Sequence, residues 1–276
     1  KGEWAEAGGE RIDLAGCALY AATLLITMYG LSRLPSAYGL CLISLGIVEL
    51  ACFLSWESRV HNPVLDISLF KGDKTFAFSN LAALIYYSAT FALVFILSLY
   101  LQYIKGLSAQ HAGLILVAQP LVMALFSPMA GMASDRIEPR LVASLGMLIT
   151  AAGLFFLVFL DRSTGIIYIL TSLIFIGFGF ALFSSPNTNA IMSSVRKKYY
   201  GVASGFVATM RLVGQMMSMG VVLMLFALYI GKEQINPRNY DVFLQSIKAA
   251  FIIFTVLCVL GIFASLARGS IHDQKT

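Results

Sequence analysis

Charge is scarce in this sequence, and that scarcity alone excludes an ordinary soluble domain. Asp, Glu, Lys and Arg make up 12% of the 276 residues, where soluble domains carry about a quarter. With 59% hydrophobic residues and a mean hydropathy of +0.83, the chain reads as an integral membrane protein. Acids and histidine are scarcest where they would matter most. The six apolar runs from residue 75 onward hold no Asp, Glu or His at membrane depth, so they lack a titratable group of the kind a proton-coupled machine needs there. The same absence weighs against an intramembrane enzyme, which needs a nucleophile with a base in reach, paired carboxylates or metal ligands. His61, His111 and His272 all fall in predicted loops or the tail. No Walker loop, no G-x-G-x-x-G ahead of a helix and no H-E-x-x-H occurs, leaving an ATP motor or redox domain unsupported. No catalytic residue, cofactor or metal site is therefore expected. The four cysteines, Cys17, Cys41, Cys52 and Cys258, sit inside apolar runs without a C-x-x-C pair or a nearby His, which points to packing rather than disulfides or metal. The opening KGEWAEAGGERID lacks the basic start, short apolar core and cleavage site of a signal peptide. The chain is expected to be a piece of a longer one.

What is present is a series of long apolar runs. A helix needs about 20 residues to cross a bilayer, and eight runs qualify: 14–32, 38–56, 75–104, 112–133, 141–160, 165–194, 201–230 and 248–267. On alternate sides of these spans Lys and Arg divide twelve against six, with Arg211 left inside a span. The positive-inside rule then puts both termini in the cytoplasm. Tyr100, Tyr103, Tyr168 and Tyr229 fall at outer ends and Trp56, Tyr199 and Tyr200 at inner ones, the positions interfacial aromatics favour. The longest connection, 57–74, divides the chain into two spans and six. No repeat of fixed period is visible, although two diverged groups of three helices could lie within the last six.

Inside the spans the informative residues are polar. Arg211 lies about 15 Å along its helix from Gly201, near the midplane, where an Arg costs about 2.5–3.5 kcal/mol to insert. Ser204, Ala208, Arg211, Gln215 and Ser218 recur at helical spacing on one face, opposite Phe206, Met210, Val213, Met217, Val221 and Met224. Gly201 and Gly205 add a G-x-x-x-G that permits close helix approach. Either Arg211 faces a cavity that takes substrate or gates access, or neighbouring carbonyls pin it as a structural residue. In LFSSPNTNAIMSS, Pro186 is expected to break the helix ladder, and the cluster containing Asn187 and Asn189 implies a wetted, kinked inner half. Gln119 beside Pro120, and Asn80, Tyr86 and Tyr87, are further candidates for a path, or else helix-helix glue. Glu49 is the one intramembrane acid. It is either a carboxylate satisfied by a neighbouring Ser or an oligomer contact, or a coupling residue.

Three stretches go beyond generic composition: LSLYLQYIKGLSAQHAGLILVAQP (97–120), GMASDRIEPR (131–140), and FSSPNTNAIM followed by ASGFVATMRLVGQ. Together they resemble the C-terminal part of a major facilitator superfamily transporter, of the fourteen-helix drug:proton antiporter branch. In that family an inner loop with the pattern G-x-x-x-D-R-x-G-R joins the second and third helices of a half. Here Gly131, Asp135 and Arg136 match its spacing, Glu138 stands in place of the second glycine, and Arg140 comes one place late. A carboxylate at a helix start facing Arg across such a hairpin could hold two helices together in one state and release them in another.

The resemblance implies an all-α polytopic membrane bundle: a cytoplasmic segment (1–13), a two-helix insertion between halves (14–56), a cytoplasmic loop (57–74), a six-helix transporter half (75–268) and a cytoplasmic tail (269–276). It implies that spans three, four, six and seven face a central cavity. It also places the proton-carrying carboxylate in a missing N-terminal six-helix half, so the fragment alone should not transport. The expected activity is proton-coupled export of amphipathic small molecules across a prokaryotic plasma membrane. Substrate, protons, the bilayer and the missing half are its expected partners, and nucleic acid is not among them. The rivals are a transporter of the same fold for a sugar, peptide or siderophore, and a non-transporting eight-helix scaffold.

Overall fold

The computed structural model describes residues 13–60, 74–231 and 233–269. Most of the expected cytoplasmic segment 1–13, residues 61–73 of the connection and the tail beyond Gly269 lie outside them. Among the described residues there is no strand, and eight helices are long and apolar enough to cross a membrane. They are α1 (Leu14–Ser32), α2 (Ala37–Glu57), α3 (Lys74–Ile104), α4 (Ala109–Arg136), α5 (Pro139–Leu157), α6 (Ile166–Ser193), α7 (Tyr200–Tyr229) and α8 (Tyr240–Ala267). All eight expected spans are present. The last begins eight residues earlier than its apolar run, so Asp241 and Lys248 lie within its first two and a half turns.

Helix α3 is central. It packs against α6, α7 and α8, while α6 also packs against α4 and α5, and α5 against α8. Exchanging α3 with α6, α4 with α7 and α5 with α8 maps this set of neighbours onto itself. The six helices are thus two triplets with equivalent packing, the relation that transporter halves use to set a site between repeats. The bundle's interior is apolar and closed, with Leu93, Ile96, Leu154, Leu173, Ile176, Phe251 and Phe254 fully buried. The pair α1–α2 packs on itself, and α1 reaches α7 through a hydrogen bond between the hydroxyls of Tyr20 and Thr209.

Glycines let these helices touch backbone to backbone, as small residues do in membranes. A Cβ on Gly146 of α5 would lie 2.6 Å from Gly179 O and 2.7 Å from Phe183 N of α6. One on Gly214 of α7 would lie 2.6 Å from Leu84 O of α3. The G-x-x-x-G at Gly201 and Gly205, expected to permit such an approach, meets no described atom within 4 Å. Gly146 and Gly214 instead stand alone among larger residues, where only a neighbour's position reveals them.

Helix α3 is irregular at two places, with a turn at Phe91–Ala92 and a π-helical turn at Tyr100–Ile104. Ser88 and Thr90 donate to the carbonyls four residues back, Leu84 O and Tyr86 O, a pattern that bends helices. The amide freed at the turn, Ala92 N, donates to Ser218 Oγ of α7 at 3.0 Å. The Ser218 hydroxyl, expected on a cavity face, is thereby used inside the bundle.

The loop between α5 and α6 is held by one carboxylate. Asp161 Oδ1 accepts from Ser163 N, Ser163 Oγ, Thr164 N and Thr164 Oγ1 at 2.7–3.0 Å. The Ser163 hydroxyl first, then the Thr164 hydroxyl and the two amides, hold its carboxyl down from an ordinary 3.8 to about 2. A carboxyl with a depressed folded-state pKa stabilises above its ordinary value, and that stabilisation disappears as pH falls through the folded-state value. Hydrogen exchange at the Ser163 and Thr164 amides should therefore be slow at pH near 4 and accelerate, relative to intrinsic rates, as pH approaches about 2. Asp161→Asn should remove this pH dependence.

Candidate functional site

Two arginines organise polar contacts between helices, one at the predicted depth of the midplane and one at the predicted inner ends. At the first, Arg211 Nη2 donates to the Tyr87 hydroxyl at 2.9 Å, and its guanidinium carbon lies 5.0 Å from the Tyr87 ring centroid. Gly214, one turn away, brings α7 close enough to α3 for this reach. Arg211 stays exposed, as do Ser204 and Ala208 on its face, and Gln215 is half-buried. No backbone carbonyl pins the guanidinium among the described residues, in contrast to the structural reading of this Arg. What it offers is a cation with free donors beside an aromatic face, a combination able to hold an anionic or aromatic group.

On α4, Gln119 is half-buried, with its Oε1 enclosed and unpartnered among the described residues. Its backbone is pressed against Gly177 of α6, where a Cβ would lie 2.5 Å from Gln119 O. Pro120, which lacks an N–H and crowds the preceding turn, follows a turn at Val117 that divides α4. Tyr86 does not share the exposure of its neighbour Tyr87's partner. It is fully buried, stacked on Phe183 with centroids 4.0 Å apart, and its hydroxyl hydrogen-bonds the Thr150 hydroxyl at 2.9 Å.

The second group was not legible as a site. Arg268, directly after α8, is 1% exposed. Its Nη1 donates to Asn187 Oδ1 of α6 at 2.9 Å and to Ser79 Oγ of α3 at 3.2 Å, and its Nη2 to Pro139 O at the start of α5 at 2.8 Å. Thr75 of α3 donates to Arg268 O at 3.0 Å, and Asn187 Nδ2 to Ser79 O at 3.2 Å. One guanidinium thus fastens the ends of four helices. Burial lowers its pKa to about 10, against the opposing pull of Glu138, so it stays charged near neutrality. Asn187 and the 1%-exposed Asn80 are enclosed here rather than lining an open path. In the sequence Arg268 reads as one more basic residue at a predicted inner boundary. Its partners are 81 to 193 residues away, and no one-dimensional spacing joins them.

Helix α6 also runs on through Pro186 to Ser193, so the expected break is not an end of the helix. The polar cluster divides around it: Asn187 points inward to Arg268, while Asn189 is exposed and its Nδ2 lies 3.5 Å from Ser134 Oγ of α4. An open cleft there is lined by Gly131, Ser134 and Asp135 of α4 and Ser185, Thr188 and Asn189 of α6. The inner-loop motif is therefore beside α6, but Asp135 lies in the last turn of α4 rather than at a helix start. Among the described residues it forms no ion pair. Arg136 is exposed, and Arg140 is half-buried with its Nε enclosed and unpartnered.

Comparison with known proteins agrees with this architecture. The chain is 31% identical over 256 residues to the uncharacterized transporter YebQ of Escherichia coli, covering 91% of this chain and 54% of that protein. It is 24% identical to the riboflavin transporter RibZ of Clostridioides difficile, with the same coverage. It is 26% identical to the tetracenomycin C resistance and export protein of Streptomyces glaucescens, covering 82% of this chain and 43% of that one. The chain thus spans about half the length of the curated relatives it matches. The fold is similar to a bacterial homolog of the human lysosomal transporter Spinster, with a TM-score of 0.60 at 13% identity over 94% of this chain and 66% of that one. The Major Facilitator Superfamily profile matches residues 80–275, and the chain is a multi-pass membrane protein that belongs to this superfamily of transporters.

Proposed function

We propose that this chain is the C-terminal part of a proton-coupled exporter of amphipathic small molecules, of the fourteen-helix drug:proton antiporter branch, working by alternating access. The observation that carries the reading is the Arg211–Tyr87 pair: a charged side chain near the midplane, anchored by one hydroxyl and otherwise open, on a helix whose polar face the six-helix bundle leaves uncovered. A partner half supplied by the same protein would close that face and form a central cavity lined by α3, α4, α6 and α7. Arg211, Gln215, Tyr87 and Gln119 would line the path. Asn187, Asn189 and Asn80, with the motif Gly131, Asp135, Arg136 and Arg140, would govern the inner opening, and Tyr86 would support Tyr87 from behind the path. The drug-resistance names among the relatives support the substrate class. The basic bias of the predicted inner connections supports a bacterial inner membrane with both ends of this chain in the cytoplasm.

The test is Arg211→Ala in the complete transporter, read as dye efflux from cells or proteoliposomes. Efflux should fall by about tenfold or more, with membrane insertion and yield unchanged; wild-type efflux would remove Arg211 from the mechanism. A second reading, the same architecture with another solute, is favoured by the match to a riboflavin transporter at the same coverage as YebQ. A panel of cationic dyes, flavins and sugars in proteoliposomes decides between them.

A further inference from the structure

Away from the proposed path, a polar cavity of about 530 Å³ lies between the loop joining α5 to α6 and the first two and a half turns of α8, lined by Asp161, Arg162, Asp241, Gln245 and Lys248 among others. Its walls are tied on both sides. Arg162 Nη2 donates to Asp241 Oδ1 of α8 at 2.7 Å, with the guanidinium carbon 5.8 Å from the Tyr240 ring centroid. The loop's carbonyls are held from the other direction: Asp161 O accepts from the Tyr100 hydroxyl of α3 at 2.6 Å, and Arg162 O from Nζ of Lys105, directly after α3, at 2.7 Å. Neither α5 nor α8 is among the helices expected to face the central cavity, so this site is separate from the path.

Two cations and two carboxylates line the cavity. Arg162 and Asp241 form an ion pair and neutralise each other. Lys248 and Asp161 are left without an opposite charge: among the described residues Lys248, half-buried, forms no ion pair, and Asp161 commits Oδ1 to four donors of its own loop while Oδ2 accepts none. Gln245, three residues before Lys248 on the same face of α8, adds an amide beside the ammonium. One free ammonium and one carboxylate oxygen in a fixed frame are complementary to a ligand that carries an anion and a cation a few bonds apart. A phosphate takes charge-assisted hydrogen bonds from an ammonium and an amide, and a primary amine gives them to a carboxylate.

The position says what kind of molecule brings that pair of charges. Asp241 is in the first turn of α8, and Lys248, seven residues further, opens the apolar run 248–267. The separation is about 10 Å along the helix, enough to span the headgroup layer of about 5–8 Å on one side of a bilayer. Beyond Lys248 on the same helix Ile252, Val256 and Leu260, spaced by four, are all exposed and form an apolar stripe running into the hydrocarbon. A charged cavity at the head of a lipid-facing stripe suits an amphipathic molecule lying along α8. We propose that this cavity binds a phospholipid with a primary-amine headgroup, its phosphodiester on Lys248 and Gln245, its ammonium on Asp161 Oδ2 and an acyl chain along Ile252, Val256 and Leu260. The site goes beyond the exporter reading and does not depend on it.

The experiment is titration of the complete transporter, stripped of lipid in detergent, with phosphatidylethanolamine or phosphatidylglycerol, the affinity for the first lipid being read by native mass spectrometry. Phosphatidylethanolamine should bind about tenfold or more tightly than phosphatidylglycerol, which has the phosphate without the amine. Lys248→Gln should weaken phosphatidylethanolamine binding by about tenfold or more, Lys248→Arg should keep it, and Arg33→Gln, a cation at the end of α1 outside the cavity, should change it by less than about twofold. Thermal midpoints without lipid should agree between wild type and Lys248→Gln, while the rise that lipid gives the wild type is lost in the variant. Equal affinity of the wild type for the two lipids, or unchanged binding in Lys248→Gln, overturns the proposal. Displacement of the lipid by soluble phosphoethanolamine at millimolar concentration also overturns it, since the same charges would then serve a free solute rather than a lipid.

Discussion

Arg268→Ala is expected to destabilise the bundle by about 3–5 kcal/mol, the cost of removing one member of a buried charged network. The loss would leave Asn187 Oδ1, Ser79 Oγ and the Pro139 carbonyl without their donor in a site where the arginine is 1% exposed. Buried polar groups stripped of a partner bear their full desolvation penalty. The measurement is a thermal or denaturant unfolding curve in detergent, with yield of monodisperse protein as a second readout. Arg268→Lys should rescue only part of the loss, because one ammonium cannot reach α3, α5 and α6 as the two arms of the guanidinium do. A near-wild-type unfolding midpoint for Arg268→Ala would show that the four helix ends hold together without it.

Gly146→Leu should be as damaging for a different reason. A side chain there would meet backbone, Gly179 O at 2.6 Å and Phe183 N at 2.7 Å, and backbone cannot rotate away as a side chain does. Overpacking a core typically costs about 1–3 kcal/mol; here α5 and α6 must separate along the most extensive helix contact in the molecule, so the loss should be at or above the top of that range. Gly205→Ala is the control. Its Cβ would meet no described atom within 4 Å, and Ala is the better helix former by about 1 kcal/mol, so stability should be unchanged or slightly raised. Equal losses for the two variants would mean that α5 and α6 do not meet at Gly146. The contrast also separates two kinds of glycine that look alike in the sequence: the paired Gly201 and Gly205, which match a known motif but where an added Cβ would meet no described atom within 4 Å, and the solitary Gly146, which matches none and is pressed against a neighbour.

The polar residues show the same division. Arg211 could be singled out from sequence because an arginine in thirty apolar residues is anomalous wherever it points, but Tyr87 as its partner could not. Arg268 drew no attention because a basic residue at the end of an apolar run is ordinary under the charge rule, yet it is the most enclosed cation described. The cluster SSPNTNA looked like one wetted surface. The 100° step per residue sends Asn187 and Asn189 to different sides of α6, and each meets a different helix.

By itself the sequence determined that the protein is a bundle of eight membrane-length helices, where those helices lie to within a few residues at most ends, and that the middles of the six apolar runs from residue 75 onward hold no Asp, Glu or His. These follow from free energies of transfer that depend on each residue and its near neighbours: apolar runs long enough to cross the bilayer, charge excluded from its middle and basic residues gathered on one side. Only the tertiary structure decided that α3 and α6 are equivalent centres of two triplets, that Gly146 and Gly214 rather than Gly201 and Gly205 make the close contacts, and that Arg268 ties four helix ends. In a membrane the apolar surface of a helix is equally satisfied by lipid or by another helix. Hydrophobic pattern therefore says that a residue is in the bilayer but not which neighbour it meets, and packing and hydrogen bonds between residues distant in sequence make that choice.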